Sequence, residues 1–108
     1  MKRIPLGTVS IQGKDHQVVD LLKEWAEKAP LDVNNPQKPI DIPTCRRRSR
    51  VISKLEKIEA GAGYVDVEDA DLDVLKEVLN NTPWNVSNPA IVGVIDSVLE
   101  AKDATPLN

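Results

Sequence analysis

The segment from Thr44 to Gly61 constrains this chain most, because its apolar and its basic residues both recur with helical period. Thr44 reads as the N-cap and Gly61 as the C-terminal stop. On a wheel of about 100° per residue, Val51, Ile52, Leu55 and Ile58 share one side. Arg46, Arg50, Lys54 and Lys57 follow one another on the opposite side at helical spacing. The segment is therefore a helix with a core-facing seam and a basic ridge about 16 Å long, at about 1.5 Å rise per residue.

Arg48 falls inside the apolar sector. That position predicts a partly buried guanidinium in a structural ion pair with an acid of the 66–73 run. The arginines also crowd the helix start, where the macrodipole disfavours positive charge, so acid from this chain or from a partner should offset them. Free amides at the helix start, the Thr44 hydroxyl and the guanidinium groups can together take phosphate or carboxylate. The candidate partner- or anion-binding residues are thus Thr44, Arg46, Arg47, Arg50, Lys54 and Lys57. The alternative is a solvated basic face.

At 108 residues the chain fits one small domain, 1–108, with a modest core. There is no Phe, and Trp25, Trp84 and Tyr64 are the only aromatics. Small aliphatics of this kind suit packed helices better than a large ligand cavity. The net charge of −3 argues against a general nucleic-acid binder, yet it hides an asymmetry. Residues 1–55 hold 11 Lys/Arg against 6 Asp/Glu, while residues 56–108 hold 3 against 11. Such a division suggests pairing between the halves, or head-to-tail association of copies. One cysteine excludes an internal disulfide framework and fits a reducing cytoplasm. The start of the chain reads as no signal peptide, and no apolar run reaches the roughly 20 residues of a membrane span.

Along the chain, Thr8–Gln12 alternates as a short strand with Val9 and Ile11 inward. Asp15 is the expected cap of a helix to about Lys28, ended by Pro30, with Val18, Leu22, Trp25 and Ala29 as its stripe. Residues 31–43 carry Pro36, Pro39 and Pro43 and form a connector. Tyr64–Val67 is a second strand, and Asp69 caps a helix through about Asn81 with Leu72, Leu75, Val78 and Leu79 inward. Thr82-Pro83-Trp84 breaks it. Asn88 and Pro89 open a last helix that buries Ile91, Val94, Ile95 and Val98 and frays near Asp103 into a loose tail, 103–108. The expected class is α+β, mainly helical: strand-helix-helix-strand-helix-helix with a small two-stranded element. The strand–helix–helix order occurs twice, which is either a pseudo-repeat or chance likeness of amphipathic helices.

Catalytic signatures are not evident. His16, the sole histidine, reads as a solvent-facing residue at a helix start rather than a metal ligand. The acidic run 66–73 lacks the glycine and the final glutamate of a calcium loop, and acids in a first helical turn complement the dipole. Asn85-Val86-Ser87 matches a glycosylation sequon, given no weight without secretion. Cys45 sits among arginines that favour a thiolate, but no base is near it in sequence, so a buried or half-buried thiol is expected.

The general layout, short, cysteine-poor and built of strand–helix units with an acidic strand-to-helix entry at Tyr64–Leu79, resembles small accessory and assembly proteins of tailed bacteriophages. That resemblance implies a virion-assembly part or a binder of a host factor, in the host cytoplasm or the virion, and it transfers no site residue. The reading reached is a non-enzymatic protein-protein interaction or assembly module, self-associating, without metal, cofactor or membrane. Its partner is a protein with an acidic surface, such as another copy of itself. The alternative is a binder of phosphate-bearing ligands, nucleotide or nucleic acid, through the Arg-rich helix start. Against it stand the pI of 5.1 and the lack of an aromatic beside the basic run.

Overall fold

Ile4 is fully buried, and the sheet closes around it. The computed structural model describes residues 1–35, 37–59, 61–82, 84 and 88–103. Strand β1 (Lys2–Pro5) is the centre of a three-stranded antiparallel sheet, flanked by β4 (Tyr64–Val67) and β5 (Lys102–Asp103). Alternation turns Ile4, Val65 and Val67 inward. It leaves Arg3 opposite Asp66 on the other face, where Nε donates to Oδ1 at 2.8 Å and Nη2 to Oδ2 at 3.2 Å. The same guanidinium lies over the Tyr64 ring, 4.0 Å from its centroid. Lys2 meets Asp103 across the other ladder at 2.6 Å.

Strands β2 (Thr8–Ile11) and β3 (Lys14–Gln17) form a separate hairpin. Gln12 and Gly13 turn it with φ of 53° and 80°, the left-handed pair that a two-residue type I′ turn demands. Helices α1 (Val18–Lys28), α2 (Ile42–Glu56), α3 (Asp69–Asn81) and α4 (Pro89–Leu99) complete the fold. Helix α2 packs on both α1 and α3, and α4 packs on α3, β1 and β2. One cluster runs through all of them, with Leu22, Val51, Leu55, Leu75, Val78 and Val98 at its centre. Trp25 and Trp84 meet edge to face at 5.1 Å on its rim, and the Trp84 indole donates to the Leu79 carbonyl at 3.0 Å.

Helices were the legible part, and the expected strand pairing is corrected. The strand beginning at Thr8 pairs with β3 rather than with Tyr64–Val67, which pairs with β1. The order is therefore three strands, two helices, a strand, two helices and a strand, so the simple twofold repeat does not hold. Asp15 lies inside β3, and α1 starts at Val18 after Gln17. His16 is half-buried opposite Val9 in the hairpin rather than solvent-facing at a helix start. Val9 and Ile11 are only half-buried, because a two-stranded ribbon covers one flank of each. Glu68, one residue before the expected Asp69, takes the N-cap position of α3 without a side-chain capping bond. Within the last helix Val94 and Val98 are buried, while Ile91 and Ile95 are half-buried. Asn85-Val86-Ser87, Pro83, Pro36 and residues 104–108 lie outside the described residues.

Candidate functional site: the start of helix α2

The cap of α2 is Asp41, three residues before Thr44. Its carboxylate accepts from the Thr44 amide at 2.8 Å, and Pro43 occupies the first turn, where a missing N–H costs nothing. Thr44 is thus a buried residue of the first turn, and its hydroxyl accepts from Arg47 Nη2 at 3.2 Å. This corrects the expected Thr44 cap and also alters the chemistry of the helix start. A carboxylate of this chain already sits on the amides, and hydrogen bonding to Thr44 holds the Asp41 carboxyl below its usual pKa. The helix also ends early: Lys57 is its C-cap, and Gly61, with φ of 86°, belongs to the turn that follows.

Arg48 is buried as expected, but its partners are not acids. Nη1 donates to the Ala29 carbonyl and Nη2 to that of Pro30 at 3.1 Å, which ties α2 to the two residues that follow α1. No acid of the 66–73 run is within salt-bridge distance of it among the described residues. Burial lowers its pKa from the ordinary arginine value, partly offset by Glu77, and its Nε lacks a hydrogen-bond partner. The expected ion pair fails because both terminal nitrogens of the guanidinium are engaged by main-chain carbonyls.

The acid of the 66–73 run instead reaches the ridge. Asp71, 1% exposed, accepts from Lys54 Nζ and lies 3.6 Å from Arg50 Nε. The ridge thus divides. Arg50 and Lys54 are tied to α3, while Arg46, Arg47 and Lys57 are exposed with no carboxylate at salt-bridge distance among the described residues. Nothing in the spacing of the acids singled out Asp71. Its place on the inner side of α3, between Leu72 and Val74 and one turn from Leu75, is the signal that could have done so.

Two apolar residues that sequence reasoning passed over stand near the exposed Arg46 and Arg47. Ile42 is 67% exposed in the first turn, and Ile40 is exposed just before it. Ile40, with Ala26, Cys45, Ser49 and Ile52, lines a shallow groove between α1 and α2. Cys45 is exposed rather than buried, because the wheel turns it away from Val51 and Leu55. The connector that leads here is pinned at its start, where Asn81 Nδ2 donates to the Leu31 carbonyl at 3.0 Å. No helix of the described chain is long and apolar enough to cross a membrane.

No protein-family model matches the chain, and neither a curated protein nor a solved structure matches it.

Proposed function

We propose that this chain is a non-enzymatic protein-interaction module that docks an acidic, partly apolar protein surface on the start of α2. The observation that carries the reading is the exposed Ile42 one helical turn before the exposed Arg46, with the exposed Arg47 next in the chain. Two like charges stand where the helix dipole opposes them, beside a large apolar side chain left in water. A partner bearing carboxylates around an apolar anchor relieves both costs at once. The phosphate reading has less support, since Asp41, Pro43 and the engaged Thr44 leave the helix start poorly furnished for an anion.

The test is a peptide display library of acidic segments with one apolar anchor, with binding measured by fluorescence anisotropy. Selected peptides should bind the native chain and lose at least about tenfold, about 1.4 kcal/mol, with Arg46→Glu and Arg47→Glu combined. Arg50 is left intact, because its reversal would also disturb Asp71. If instead single-stranded DNA binds with a steep salt dependence while no peptide does, the phosphate reading replaces this one.

A further inference from the structure

The groove between α1 and α2 follows one stripe of α2, formed by Cys45, Ser49, Ile52 and Glu56 at helical spacing. Ala26 and Glu27 of α1 line it from the other side, and Ile40, just ahead of α2, lines it too. It holds about 370 Å³, near the lower bound for a ligand site. That room suits one large side chain rather than a cofactor.

Several groups along this groove lack partners within the chain. Arg48, 4% exposed, is part of its lining; Nη1 and Nη2 serve the Ala29 and Pro30 carbonyls, while Nε has no hydrogen-bond partner. Glu27 and Glu56 are exposed, and among the described residues neither has a base at salt-bridge distance. The lysines of α1 are engaged elsewhere, Lys23 with Asp20 and Lys28 with Glu24. Arg46, exposed and likewise without a carboxylate at that distance, precedes Glu56 by about 15 Å along the helix, at about 1.5 Å rise per residue. The order along α2 is therefore a cation, an apolar wall and then carboxylates.

We propose that the groove takes an apolar side chain of the protein partner, and that the partner chain runs on past it to a base facing Glu27 and Glu56. The proposal rests on the docking reading above and gives it a direction: acid over Arg46, apolar anchor between the helices, then lysine or arginine. Charge complementarity sets that order, because the reverse places like charges together at both ends. A main-chain carbonyl carried in with the anchor can supply the acceptor that Arg48 Nε lacks.

The probe is a fluorescent peptide selected from the acidic-segment library, made in two forms with lysine or glutamate beyond the anchor. The lysine form should bind the native chain at least about tenfold more tightly. Glu27→Lys combined with Glu56→Lys should reverse that preference. Position is read by thiol alkylation in a Cys45→Ser background. Saturating peptide should slow the reaction at Ser49→Cys, inside the groove, at least about tenfold, and leave Ser53→Cys, exposed outside it, unchanged. Equal protection at 49 and 53, or equal affinity of the two peptides, overturns this proposal while docking on α2 stands. Failure of every acidic peptide to bind overturns both. Should the doubly reversed variant fail to fold, the peptide preference of the native chain and the alkylation pair decide, because both serines are exposed.

Discussion

Arg48 of α2 holds the carbonyl oxygen of Pro30 at 3.1 Å, and the same guanidinium holds that of Ala29. A side chain of α2 thereby fastens the segment that follows α1, with the fork of a guanidinium meeting two successive carbonyls. Arg48→Ala should cost about 1–3 kcal/mol, because it leaves two carbonyls without donors in a poorly hydrated place. Arg48→Lys should recover only part of that, since an ammonium cannot span both oxygens. Arg46→Ala, in water, should stay within about 0.5 kcal/mol. Urea denaturation of the three variants checks the order, and equal effects at 46 and 48 would refute the fastening role of Arg48.

Asp71 is the one buried carboxylate among the described residues, and Lys54 is its nearer partner. Lys54→Ala should therefore destabilise more than Arg50→Ala, by about 1–3 kcal/mol against less than about 1 kcal/mol. Both cations are about half exposed, which keeps these figures below those of a fully buried pair. Replacing Asp71 with Asn should lower the cost of then removing Lys54. A double-mutant cycle reads that coupling directly, and a coupling near zero would show that the contact is idle.

The cap of α2 gives a prediction that separates the two ways of starting this helix. Asp41→Ala should destabilise the chain measurably, as the loss of an N-cap side chain does. Thr44→Val, which keeps the buried shape and removes the hydroxyl, should leave the helix start capped and cost less. The reverse order in thermal melts would return the cap to Thr44.

Acid should loosen the sheet through two named carboxyls. The hydrogen bond from Arg3 holds Asp66 below its usual pKa, and that from Lys2 does the same for Asp103. A carboxyl depressed in the folded state adds stability that is fully present above its unfolded pKa, near pH 4, and is lost as the pH falls through the folded value. The melting temperature should thus hold steady down to about pH 5 and fall below about pH 4. Asp66→Asn with Asp103→Asn should flatten that acid limb. An unchanged limb would mean that these cross-strand pairs contribute nothing to it.

The four helices were legible because each carries an apolar stripe with a break at either end. Leu72, Leu75, Val78 and Leu79 face inward as the period requires, and Asn88 with Pro89 marks the start of α4 without ambiguity. The strands were not, for reasons of size and composition. β1 offers a single inward apolar residue, Ile4, and ends in proline, while β3 reads Lys-Asp-His-Gln with no apolar residue at all. Its turn escaped notice because Gln12 takes the left-handed place usually filled by Asn or Asp. At the candidate site the wheel placed Arg48 inward correctly. It could not foresee that main-chain carbonyls, which leave no mark in the pattern of side chains, would be its partners.

The central position of β1 bears on the order in which the molecule assembles. Arg3 pairs 63 residues downstream with Asp66, and Lys2 pairs 101 residues downstream with Asp103. During synthesis the β2–β3 hairpin can form as soon as Gln17 emerges, whereas Ile4 has no neighbouring strand until β4 is made. Closing so long a loop is entropically slow. Strand β1 therefore stays without a neighbour until Tyr64–Val67 has been made, and its sheet is complete only once Lys102–Asp103 has followed.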